Sequence, residues 1–280
     1  MKNRDFSSPS PLFGRLLTAL IPLALCLGPA RGQEPKQHID VGRLPQQATL
    51  VEDVIVPVPS EVFGVLDKLG SPNWHDVMRT EEPAVPGVRP ETALLLGNVI
   101  AEGFIAVEAQ DAEQVKKIGH TVLELSAALG VRKAVVARSR AIIEAADNKD
   151  WPRVREELDG ALTDVKQAME ELHDEELAQL VSLGGWLRGT EALAQVVTRN
   201  YSKDSAGLLH QPALLDYFDN RLSHMSPRLR EDEVVARIEK RLPEIRPLIG
   251  EADTEISKES VDQIRDIVHD LVSAIAPTQS

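Results

Sequence analysis

The sequence predicts an all-α fold, a multi-helix bundle or stacked helical hairpins preceded by an extended N-terminal arm, and three observations lead there. Hydrophobic residues make up 42% of the chain but aromatic residues only 4%, so the apolar content rests on Ala, Leu and Val in a usage that suits helices better than pleated sheets. Beyond Pro90, apolar side chains recur at three- and four-residue steps, the period of one helix face. Asp111, Asp150 and Asp174 each stand just before such a run, where an aspartate caps a new helix.

Residues 1–32 read as an export leader. Lys2, Arg4 and Arg15 supply the basic start, Leu16 to Gly28 an apolar run too short to span a bilayer, and Ala30-Arg31-Gly32 a cleavage site before Gln33. Cleavage there predicts a periplasmic or secreted protein. Cys26 is the sole cysteine; the bulky Leu25 before it suits lipoprotein processing poorly, and removal of the leader leaves neither disulfide nor thiolate ligand. The leader also carries off four basic residues and one acidic, so the remainder is more acidic than the formal charge of -13 for the whole chain. Such a field disfavours nucleic acid and anionic lipid as partners.

Residues 33–59 read as a polar arm ending in the strand-like Leu50 to Pro59, where Pro57 and Pro59 exclude a central strand and an extended segment along the helical body is expected. Over 60–89 come a helix from Ser60 to Gly70, a further turn or two within Asn73 to Arg79, and a linker with Pro83, Pro86 and Gly87. The main bundle is expected over 90–200. Its first helix, Ala93 to Ala109, is apolar nearly all round, interrupted by Asn98, Glu102 and Glu108, and so should be contacted on several sides rather than cross a membrane. One-sided helices follow from Asp111 to Gly130, Val131 to Ala146, and Asp150 to Leu172, the last opened by Asp150-Trp151-Pro152. The fifth, from Asp174 to Asn200, contains Gly184, Gly185 and Gly189, which either kink it or admit a neighbouring backbone. A short echo, Val107 to Asp111 against Ile143 to Asp147, has the period of stacked hairpins. Over 201–276, helices from Pro212 to Met225 and Arg230 to Arg241 precede a final one whose Val261, Ile264, Val268, Leu271 and Ile275 form a seam for a bundle or a partner helix.

Candidate chemistry is sparse. Asn98 and Glu102, one turn apart on the most apolar helix, are candidate ligand-binding residues, with Glu102 a buried carboxylate or simply part of a solvent edge. Trp186 and Arg188 within Gly184 to Gly189 could wall a pocket and grip an anion, or only pack. Glu170 and His173 form an E-x-x-H pair of the kind that supplies transition-metal ligands, with Glu102 as a third. The matching Asp266 and His269 fall on the polar face of the last helix, and Glu124 shares an exposed face with Lys116, Lys117 and His120. Hydrolase, phosphate-loop and dinucleotide signatures are absent from the sequence. These features predict an exported helical protein of a bacterial envelope, acting by protein interaction or homo-oligomerisation without catalysis or cofactor. The alternatives are a small-ligand or metal-binding bundle and an enzyme with a site not local in sequence.

Overall fold

The computed structural model describes residues 72–251 and 254–276, together with the backbone of 49–51 and 54–56. The expected leader and the helix from Ser60 to Gly70 lie outside the described residues. The strand-like stretch is not one extended run: Thr49–Val51 (β1) and Val54–Val56 (β2) pair antiparallel, with Leu50 opposite Ile55. The antiparallel pairing means that the chain doubles back within this stretch, and Pro57 and Pro59 lie outside the described residues. Asn73 to Arg79 holds only the single turn Trp74–Asp76.

Five long helices then follow, α1 (Arg89–Glu108), α2 (Ala112–Ala128), α3 (Arg132–Asp147), α4 (Trp151–Glu171) and α5 (Glu175–Arg199). Their four connections share one construction. Gln110, Gly130, Lys149 and His173 each adopt a left-handed backbone, with φ of 56°, 84°, 56° and 58°. The next residue then donates its N–H back into the finished helix, Asp111 to Ala106, Val131 to Ser126, Asp150 to Ala145 and Asp174 to Met169, which satisfies carbonyls that a helix end leaves open. Asp111 and Asp150 cap the following helix by accepting from the N–H of Gln114 and Arg153 at 2.9 and 3.3 Å. Asp174 holds the corresponding position without a cap bond, because Arg89 takes its carboxylate through two contacts of 2.6 and 3.2 Å. The structural equivalent of Asp111 is therefore Asp150, not the Asp147 suggested by the sequence echo.

The short connections make successive helices antiparallel. α1 packs on α2 and α4, α2 on α3, and α3 on α4, closing a four-membered ring; α5 lies along the remaining side of α1. Residues Thr92 to Val107 of α1 are buried without a break, as a helix covered from several sides requires. Among the described residues α1 alone is long and apolar enough to cross a membrane, but 89% of its most apolar window is buried within the protein, the mark of a core helix.

Glycine sets the closest crossing. A Cβ on Gly184 would stand 2.0 Å from the carbonyl oxygen of Leu94, and one on Gly97 1.9 Å from that of Val181, so α1 and α5 meet backbone to backbone. Of the two roles open to these glycines, close approach is the one found, and α5 runs through them unbroken. Gly189 has open space around it and contributes nothing to the crossing.

The C-terminal region adds α6 (Pro212–Ser223), α7 (Glu233–Arg241) and α8 (Lys258–Ile275), with single-turn helices between them. α7 begins later than its apolar pattern suggests because Asp232 caps it, accepting from Val234 and Val235 N–H at 3.1 Å. Val261, Ile264, Val268, Leu271 and Ile275 of α8 are all buried, with α5 as the main neighbour. The seam that could have served a partner helix is occupied within the chain.

Candidate functional site

The polar interruptions of α1 and α5 find each other. Glu102 comes from mid-α1, while Arg188 and Glu191 stand one turn apart on α5, in a stripe that continues Leu180, Gly184 and Leu187 into the interior. Arg188 and Glu191 are fully buried. Arg188 Nε donates to Glu102 Oε2 at 2.6 Å, Nη1 to Glu191 Oε2 at 3.1 Å, and Nη2 to the Val77 carbonyl at 2.5 Å. With three of its five N–H donors committed inside and no exposed surface, this guanidinium is not available to grip a foreign anion.

Arg79 closes the other side. Its backbone N–H donates to Glu102 Oε1 at 2.6 Å, its Nη2 to Glu191 Oε1 at 2.9 Å, and its carbonyl accepts from Gln114 Nε2 of α2 at 3.0 Å. Two carboxylates are thus matched by two guanidinium groups, the arrangement that makes buried charge tolerable. His269 of α8 adds a further contact, with Nδ1 2.7 Å from Glu191 Oε1. A carboxylate paired with two guanidinium groups only accepts, so Nδ1 donates to it.

Over this network lies a cavity of about 650 Å³. Leu95, Asn98, Val99 and Glu102 of α1 form one wall, and Gln114, Lys117, Ile118 and Thr121 of α2 another. His269 and Ser273 of α8 complete it, with the extended segment Arg79 to Pro83 across the front. Asn98 is 4% exposed, lines this space, and its Nδ2 has no hydrogen-bond partner. That is a costly way to leave an amide in a protein interior.

Of the residues expected to bind a ligand, Asn98, Glu102 and Arg188 belong to one assembly, with Arg188 behind the wall rather than in it. Trp186 does not join them. It faces α6, where its ring lies 5.4 Å from that of Phe218 and its indole N–H donates to Gln211 at 2.9 Å, so its role is packing. The trio Glu102, Glu170 and His173 does not converge either. His173 occupies the left-handed turn between α4 and α5 with its side chain 92% exposed, and Glu170 is exposed beside it, whereas Glu102 is saturated in the interior. Among the described residues no three His, Cys, Asp or Glu side chains are grouped to hold a metal.

Glu191, His269 and Arg79 are the members that sequence reasoning missed. Glu191 left a signal, since it continues a buried 4,3,4 stripe. His269 does lie on the polar edge of α8, yet that edge borders the cavity. Comparison with protein-family models, curated proteins and solved structures finds no match to this chain.

Proposed function

We propose that this chain is an exported helical protein that binds a small organic molecule in the chamber between α1, α2, α8 and the segment Arg79 to Pro83. The observation that carries this reading is a cavity of about 650 Å³ in which Asn98, Gln114 and Thr121 stand among apolar side chains, a volume in the range of about 300–1,000 Å³ typical of ligand sites. Apolar walls from Leu95, Val99 and Ile118 supply contact area, and the salt-bridged network behind them holds α1, α5, α8 and Arg79 in fixed relation. The interaction-module reading loses one support, because the apolar seam of α8 is covered by its own chain.

A thermal-shift screen of small neutral and charged organic compounds tests this on the leaderless chain and on Val99→Phe, which fills the cavity from α1. A bound compound at a hundred times its Kd stabilises by roughly 2.7 kcal/mol. Compounds should raise the melting temperature of the wild type and fail to raise that of Val99→Phe. Equal responses in the two proteins, or none from any compound in the wild type, would count against a site here.

A further inference from the structure

We propose that the segment Thr80 to Val85 is a gate over the chamber, hinged at Arg79 and at Pro86 to Val88, and drawn shut by attraction between its Glu81 and Glu82 and Lys117 of α2. This rests on the ligand-chamber reading and adds how an occupant enters and is kept. The hinges lie where the hydrogen bonds stop. Arg79 is pinned three times, by its N–H to Glu102 at 2.6 Å, its Nη2 to Glu191 at 2.9 Å and its carbonyl to Gln114 Nε2 at 3.0 Å. The chain is next held where the Pro86 carbonyl accepts from Thr92 Oγ1 at 3.3 Å and the Val88 carbonyl from the Thr92 N–H at 3.1 Å. Among the described residues, Thr80 to Val85 make no hydrogen bond or ion pair between these two anchors. Five of the six are exposed, and only Pro83 is half-buried, at the front of the chamber. A stretch with so few contacts opens at low free energy. It also moves as a piece, because Pro83 and Pro86 confine Glu82 and Val85 to extended backbone, while Gly87 has open space around it.

The other boundaries of the chamber cannot yield in this way. They belong to the long helices α1, α2 and α8, and the contacts of Arg188 with Glu102 and of His269 with Glu191 tie α1, α5 and α8 together. Charge supplies the closing force. Glu81 and Glu82 on the gate and Lys117 on α2 line the same chamber, all three exposed, and among the described residues none of them is in an ion pair. The remaining charged groups there, Arg79 and Glu102, are already bonded to each other or to the buried network. Opposite charges on the gate and its facing wall attract weakly through water, and salt screens them.

The leaderless chain from Gln33 contains no cysteine, so Glu82→Cys with Lys117→Cys places single thiols on the gate and on the facing wall. Dithiobismaleimidoethane joins them, and dithiothreitol then cuts the joint while leaving both arms attached. The probe is N-phenyl-1-naphthylamine, an uncharged dye that brightens in apolar surroundings, followed by stopped-flow fluorescence with Val99→Phe as the filled-chamber control. The joined protein should take up and release the dye about tenfold more slowly than the cut one. Lys117→Glu should release it about two- to fivefold faster, the scale of an exposed ion pair, and adding Glu81→Lys and Glu82→Lys should restore the rate. Without dye, amide exchange over Thr80 to Val85 should run near the unfolded rate while the Arg79 N–H stays protected. Equal dye kinetics in joined and cut protein would overturn the gate and leave the chamber standing, as would gate amides protected like those of α1. Release indifferent to both Lys117→Glu and salt would remove the charged closure. Where dye uptake survives Val99→Phe, compounds from the thermal-shift screen replace the dye in the same comparison; if none of these binds either, gate and chamber fall together.

Discussion

Replacing Gly184 by Ala should destabilise the protein, although in an open helix the same change would stabilise it. The new methyl carbon would lie 2.0 Å from the Leu94 carbonyl oxygen and 2.8 Å from its carbon, both atoms of the α1 backbone. A flexible side chain could swing aside, but a helix backbone moves only as a unit. Relief to a tight but tolerable 3.0 Å requires α1 and α5 to part by about 1 Å at this point. A gap of that size forfeits roughly a quarter to a half of the dispersion well for each atom pair it opens. Leu94, Val181, Leu177 and Leu187, buried on these two helices, would share the loss. Overpacking costs about 1–3 kcal/mol in general, with the upper end appropriate to a backbone clash, and the better helix propensity of Ala returns about 1 kcal/mol. The net loss is about 2 kcal/mol, or roughly 4–8 °C in melting temperature for a chain of this size.

Gly189→Ala on the same helix supplies the reference, because nothing lies within 4 Å of its added carbon. It should gain up to about 1 kcal/mol from propensity alone. Thermal and urea unfolding followed by far-ultraviolet circular dichroism reads both variants against the wild type. If Gly184→Ala melts with or above Gly189→Ala, the helices do not meet backbone to backbone and the crossing is described wrongly.

Two further predictions concern charge. Arg188→Met leaves the Glu102 and Glu191 carboxylates buried without their shared cation and should cost about 3–5 kcal/mol, while the triple change Glu102→Leu, Arg188→Met, Glu191→Leu should recover most of it; an Arg188→Met variant with an unchanged urea midpoint would show that the network is not closed to water. Lys166, half-buried on α4, has its ammonium pushed below its ordinary value by burial, with Glu170 opposing that shift in part. Its folded-state value lies below the unfolded one, so its charge opposes folding at neutral pH, and the penalty fades as pH rises through the folded value. Lys166→Met should therefore melt above the wild type at pH 7, by an amount that shrinks in alkaline buffer; a difference independent of pH would place the effect in packing instead.

The helices were legible because their determinants are local. The 3,4,3,4 spacing in α8, the Asp-Trp-Pro start of α4 and the caps at Asp111 and Asp150 all act within a turn or two of themselves. What escaped was set by partners far along the chain. Asp174 looked like a cap and is one by position, but Arg89, 85 residues away, takes its carboxylate. Periodicity assigned His269 to the edge of α8, yet an edge is defined only against its own helix. That this one overlooks a cavity depends on α1, α2 and Arg79 meeting there. The glycines of α5 announced a choice between kink and contact, and only Leu94 on the opposing helix decides it.

Asn98 and Glu102 are met very differently by the fold. They stand one turn apart on the same helix and carry comparable penalties for burial. Glu102 has each oxygen met by an N–H donor, and the chain brings Arg79, 23 residues back, and Arg188, 86 residues on, to do it. Gln114, also in the chamber wall, has its amide N–H met by the Arg79 carbonyl. A fold that supplies long-range partners to the neighbours of Asn98 would be expected to supply one to Asn98, or to replace it with Leu or Val as at Leu95 and Val99. It does neither, and the Nδ2 of Asn98 stays unmet on a residue of the chamber wall. On the proposed reading a polar residue stands at Asn98 because it borders the chamber, whereas packing accounts for the apolar wall alone and leaves the amide as an uncompensated cost.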